Sequence, residues 1–180
     1  MDTAKEIVSL TKFSPKRENL LGEIKENLEG HESEAKGIIG LCPTRWTVRA
    51  SCFQRILDNY EALLQEWIIS LDEKLQSDIR GRIIGCQAQM KTFNFFFGLN
   101  LGQRLFSHTD NLSKTSQQTR MSAVSGKRVA GLTKEVLQKM RNDIRLKSFY
   151  DTVLLKSKNY PSMLHDRTNV AKENTSTEKN

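Results

Sequence analysis

Side chains able to do chemistry are thinly spread along this chain. Its three histidines, His31, His108 and His165, stand far apart. None has a cysteine or carboxylate neighbour at the spacing of a metal-ligand set, so they read as ordinary surface or loop residues. The three cysteines, Cys42, Cys52 and Cys86, are odd in number and form no C-x-x-C pair. They read as reduced, partly buried thiols of an intracellular protein. Among the acids, Asp58 and Glu61 share one predicted helical turn beside an apolar stripe, as a solvated flank does. Asp72 and Glu73 stand at a predicted helix start, where a carboxylate complements the macrodipole. The patterns G-x-x-x-x-G-K-[ST], H-E-x-x-H and G-x-S-x-G do not occur. The expectation is a chain that is not itself an enzyme, with no catalytic residue, metal site or cofactor of its own.

The segment Leu41-Cys42-Pro43-Thr44-Arg45-Trp46-Thr47-Val48-Arg49 is more informative. An apolar connector runs here into a predicted helix through an adjacent arginine and tryptophan. Trp46 offers a large apolar plate with one N–H donor. Arg45 offers a planar guanidinium suited to phosphate or carboxylate. Together they could stack on a base and grip a backbone phosphate. The plainer reading is that Trp46 fills the core at a helix start and Arg45 is exposed.

A second feature is the basic series Lys127, Arg128, Lys134, Lys139, Arg141, Arg145 and Lys147, opposed by Glu135 and Asp143. Spread along two predicted helices, these cations could track a phosphate backbone; the plainer reading is a solvated helix face. The 28 basic and 21 acidic residues leave a net charge of +7, which suits an acidic partner or serves solubility.

The elements carrying these residues read as an all-α fold. At 180 residues, 37% hydrophobic, the chain fits one domain with tails and a core of modest size. A helix is predicted over 15–29, with Ser14 as N-cap, Pro15 first, Leu20, Leu21, Ile24 and Leu28 on one face, and Gly30 as the stop. Residues 1–10 suggest a weaker turn or helix, and 30–44 a connector. Thr47 to about Ile69 gives the strongest helical period, with Thr47 as N-cap and a break at Ser70–Asp72.

Two runs follow over 73–97, continuing through Leu105 and Phe106. Gly81 and Gly85 weaken the first and would let another element approach closely. The Phe95-Phe96-Phe97 stretch reads as helix in preference to a short strand. Residues 111–118 suggest a short helix or loop, 124–140 and 145–157 two further helices, and everything from Lys158 a disordered polar tail. The division expected is 1–46 as helix and connector, 47–157 as a helical domain and 158–180 as tail. No signal sequence and no bilayer-spanning run of ~20 apolar residues is present, so no membrane partner is expected.

Cys42-Pro43-Thr44-Arg45-Trp46-Thr47, followed by a long amphipathic helix and an all-helical stretch, resembles the arginine–tryptophan region of hAT-superfamily transposases. It is especially similar to their domesticated vertebrate-type relatives, known as MYM-type zinc-finger protein 1-like or as repressors of the inhibitor of the protein kinase. The Ser14-Pro15-Lys16-Arg17 helix also fits that pattern, and the resemblance covers roughly residues 14 to 157. It implies a helical insertion domain interrupting an RNase H-like core with three acidic metal ligands. It also implies that Trp46 lies near the entrance to that insertion, in a position linked to handling the DNA flap. Only Arg45 and Trp46 carry over residue by residue. By the family pattern the first two catalytic acids fall before Met1 and the third beyond the insertion. The zinc-finger and dimerisation regions are also missing.

The resemblance thus implies a transposon-derived, nuclear, non-catalytic fragment with residual DNA binding through Arg45 and Trp46, to which the charge pattern adds Lys127, Arg128, Lys134, Lys139 and Arg141 as candidate phosphate contacts. The alternative is a helical protein–protein interaction module, whose apolar surface would be the Phe93–Phe97 cluster.

Overall fold

The protein is seen in a computed structural model that describes residues 2–29, 37–40, 48–117, 122–160 and 163. These residues form an all-α fold: α1 (Asp2–Lys12), α2 (Pro15–Glu29), α3 (Arg49–Asp58), α4 (Tyr60–Asp72), α5 (Ser77–Met90), α6 (Phe93–Ser116), α7 (Ala123–Met140) and α8 (Asp143–Ser157). None of these helices is long and apolar enough to cross a membrane.

Of the turn or helix expected at the start of the chain, α1 is the helix. Ala4, Ile7, Val8 and Leu10 recur at helical spacing and are all buried, so tertiary packing stabilises a segment too short to be helical alone. α2 begins at Pro15 as predicted and buries Leu21 and Ile24, while Leu28 is about half exposed. Arg17 of α2 donates from Nε to the Leu10 carbonyl at 2.5 Å, locking the α1–α2 corner. α1 and α2 pack on α5 and α4 and share one continuous core with them. Glu6 of α1 pairs with Arg82 of α5, and Lys16 of α2 with Glu73 at 2.7 Å.

The predicted single helix from Thr47 to Ile69 is two helices. The break falls at Asn59, whose side-chain Nδ2 donates to the Arg55 carbonyl at 2.6 Å and whose backbone leaves the helical region with φ −107° and ψ 16°. A buried asparagine competing for its own helix's carbonyls ends α3 and starts α4. The break expected at Ser70–Asp72 comes later, since α4 runs through Asp72. Asp72 and Glu73 therefore sit at a helix C-terminus, opposite to the expectation, where a carboxylate opposes the macrodipole. Residues 111–116 are the last turns of α6, whose 24 residues span about 36 Å.

Two core expectations are corrected. Gly81 and Gly85 are exposed, and a Cβ added at either would meet nothing within 4 Å. The close helix approach is at Gly102 of α6, where an added Cβ would lie 2.5 Å from Cε2 of Phe53. Gly102→Ala should therefore destabilise by about 1–3 kcal/mol through forced repacking of the α3–α6 contact. Gly85→Ala should stabilise by about 0.5–1 kcal/mol through helix propensity. Urea midpoints of the two variants check this; a stabilising Gly102→Ala would contradict the packing.

The chain beyond Lys158 is not all tail. Tyr160 stacks within 5.1 Å of Tyr60 and 5.2 Å of Phe96 by ring centroids, and Met163 is fully buried. An aromatic and a methionine recover apolar burial that a polar tail cannot. Residues 164–180, including His165, lie outside the described residues.

Candidate nucleic-acid interface

Arg45 and Trp46, with Cys42 and the predicted N-cap Thr47, lie outside the described residues, as does His31. What is described is how the helix after them is held. Val48, in the N-cap position of α3, supplies no side-chain cap. Asp110, 60 residues later on α6, supplies it instead: its Oδ2 accepts from the Ala50 N–H at 2.9 Å. A buried carboxylate at a helix N-terminus satisfies an otherwise orphaned donor and complements the dipole. The start of α3 is thus fixed on α6, with Arg49 lying over the Phe106 ring at 5.5 Å.

Cys52 and Cys86 are free and buried, and burial pushes their pKa up to about 12 and about 11. Both are inert at neutral pH. Asp58 accepts from Gln54 at 2.6 Å on the last turn of α3, and Glu61 lies on the first turn of α4. Among the described residues no group of three or more His, Cys, Asp and Glu could hold a metal ion.

The basic series is where the described surface becomes distinctive. No residue of α7 is buried. The helix rests on α6 through the half-covered Val129, Thr133, Leu137 and Met140, spaced three and four apart. Its cations face away. Lys127 and Lys134 are two turns apart on one flank, and Arg128 and Lys139 are three turns apart on the other. All four are exposed, and none is engaged in an ion pair among the described residues. α7 starts cleanly at Ser122, whose side chain accepts from the Ser125 N–H at 3.2 Å.

At its other end Arg141 caps α7. Asn142 then caps α8, its Oδ1 accepting from the Ile144 N–H at 2.9 Å and from the Arg145 N–H at 3.4 Å. Arg145 and Lys147 follow, both exposed. The two helices thus project a mostly cationic surface.

Between α6, the end of α7 and the start of α8 lies a cleft of about 430 Å³. Leu101, Leu105, Leu137, Met140, Leu146 and Phe149 line it, with Arg104, Arg141 and Arg145 at its edges. The periodicity alone places these apolar residues in helix stripes with no hint that they border an opening. Arg104 is the residue that sequence reasoning misses altogether. Its place depends on α8 folding back beside it, where its guanidinium lies 4.9 Å from the centre of the Phe149 ring.

The Phe93–Phe97 cluster, expected as an exposed interaction surface, is core instead. Phe93 and Phe96 are buried, and Phe97 packs on Phe149 and Tyr150 with ring centroids 5.6 Å apart in each case. α8 supplies the cover, which the local sequence around Phe95 does not contain. The exposed large apolar side chains are elsewhere, with Val124 81% and Ile144 80% exposed and Leu132, Leu146 and Leu155 at least half so.

No family model, curated protein or solved structure matches the chain.

Proposed function

We propose that this chain is a non-catalytic helical region of a domesticated hAT-type transposase, of the kind inserted into an RNase H-like core. We further propose that it binds nucleic acid through the outward face of α7 together with Arg45 and Trp46. The observation that supports the reading is the two rows of exposed cations, Lys127 with Lys134 and Arg128 with Lys139, without ion-pair partners among the described residues, on a helix that buries none of its residues. Phosphate contacts of this kind position a protein on nucleic acid without reading sequence. Arg45 and Trp46 enter from the family resemblance, which also carries the nuclear location. The chemistry of DNA cleavage is not part of this role, since the acids it requires are not in the motif that matches.

Titration against short duplex and hairpin DNA at low salt tests the proposal. Replacing Lys127, Arg128, Lys134 and Lys139 together by alanine should weaken binding at least about ten-fold. These are exposed helix positions, where alanine leaves stability nearly unchanged. Trp46→Ala should cost about 1–3 kcal/mol of affinity if its ring stacks on a base. Equal affinity of the four-fold variant and the parent chain would end this reading.

A second reading, a helical protein–protein interaction module, draws on a different observation. Leu132 and Val136 on α7 and Ile144 and Leu155 on α8 are exposed at helical spacing, and apolar stripes of this kind associate with partners. Its surface is then α7 and α8, not the phenylalanine cluster.

A further inference from the structure

We infer that the cleft between α6, α7 and α8 is a docking groove for an acidic amphipathic segment of another protein. The inference names the partner chemistry of the second reading above and rests on it, independently of nucleic-acid binding. The floor is apolar and largely aliphatic: Leu101 and Leu105 from α6, Leu137 and Met140 from α7, Leu146 and Phe149 from α8. Three helices contribute to it, so the concavity exists only in the folded chain. Its volume of about 430 Å³ lies within the range of clefts that enclose ligand groups.

The rim selects the sign of the partner. Arg104, Arg141 and Arg145 border the floor from three different elements, against Asp143 alone. All three arginines are exposed, and a guanidinium grips a carboxylate with two parallel hydrogen bonds. The Ile144 and Arg145 N–H groups at the start of α8 already donate to Asn142, whereas the three arginines are exposed and able to receive anionic charge. An apolar floor with a cationic rim complements a helix or turn with apolar anchors at i, i+3 or i+4, and i+7, flanked by aspartate and glutamate.

A nucleobase fits the same cleft less well. The one aromatic ring in the floor, Phe149, has Arg104 over its face at 4.9 Å, so the plate on which a base would stack is covered. The remaining floor is aliphatic, which suits leucine or phenylalanine anchors of a peptide. The phosphate-tracking cations of α7 face outward, away from this floor.

The test uses the full chain and a fluorescently labelled synthetic peptide of about four helical turns, with leucine and phenylalanine anchors and otherwise aspartate and glutamate. Two controls accompany it: a scrambled peptide of identical composition, and the same pattern with lysine for every acid. The acidic amphipathic peptide should bind at least about ten-fold tighter than either control. Arg141→Glu with Arg145→Glu should abolish that preference and turn it toward the lysine peptide, with helix content unchanged by circular dichroism. Leu146→Ser should weaken binding, whereas Ile144→Ser with Leu155→Ser should leave it intact.

Binding that survives the arginine reversals but is lost with Ile144→Ser and Leu155→Ser would overturn the cleft assignment and leave the interaction-module reading standing on the outer stripe. Equal or absent binding of all three peptides would overturn both. A single-stranded oligonucleotide that displaces the peptide and itself requires Arg141 and Arg145 would assign the cleft to nucleic acid and overturn the inference.

Discussion

Trp67→Ala is expected to destabilise the protein by about 3–5 kcal/mol, a large share of the stability of a domain this size. Trp67 is fully buried on α4, the helix that packs against α2 and α5. Removing it opens a cavity that rigid helices on several sides cannot close. Trp67→Phe separates volume from polarity. The indole N–H has no hydrogen-bond partner among the described residues, so phenylalanine removes an unsatisfied buried donor while leaving a smaller void. Its loss should be well under half that of alanine. Urea denaturation of both variants checks the pair. A phenylalanine variant as unstable as the alanine variant would mean that the indole N–H is engaged after all.

The second large effect concerns the residue next to it. Glu66 is fully buried, accepts from Ser70 Oγ at 2.8 Å through Oε1, and leaves Oε2 without a partner among the described residues. Burial raises its pKa from 4.5 to about 7; the Ser70 hydrogen bond and the Arg17 charge act against that rise, and Glu73 adds to it. The folded state therefore holds a proton that the unfolded chain releases. Glu66 does not disfavour folding below pH 4.5. Its contribution becomes unfavourable as pH rises from there to about 7 and is constant above. A rise of this size corresponds to about 3 kcal/mol. The direction is opposite to that of a salt-bridged carboxylate.

Glu66→Gln removes the titration. The variant should gain on the parent as pH increases, most above pH 7, and the two should converge near pH 4. Stability curves that run parallel from pH 4 to 8 would contradict this account of Glu66.

Much of this architecture is legible in periodicity, and particular residues show where legibility ends. Val129, Leu137 and Met140 mark α7 correctly because three- and four-residue spacing is a local property. Asn59 was hidden inside a strong stripe. Asparagine is only mildly unfavourable in a helix, and its capture of the Arg55 carbonyl becomes decisive only once it is buried. The fate of Phe97 was unreadable for a different reason: its cover, Phe149 and Tyr150, comes from α8 more than fifty residues away. Gly81 and Gly85 drew attention by composition, yet Gly102 makes the close contact because Phe53 happens to face it.

The candidate site divides in the same way. The α7 cations were visible as a run of charge, and folding leaves them exposed. Arg104 and the cleft floor were invisible, because an opening between three helices has no sequence signature.

The salt dependence of DNA binding tests the central proposal most directly. If Lys127, Arg128, Lys134 and Lys139 each neutralise one phosphate, they contribute about 3.6 to the slope of log affinity against log salt on duplex DNA. The parent chain should then lose on the order of a hundred-fold in affinity between 50 and 200 mM salt. The variant with all four replaced by alanine should show a slope shallower by about that amount. Affinity insensitive to salt, or an unchanged slope in the four-fold variant, would contradict the assignment of α7 as a nucleic-acid surface.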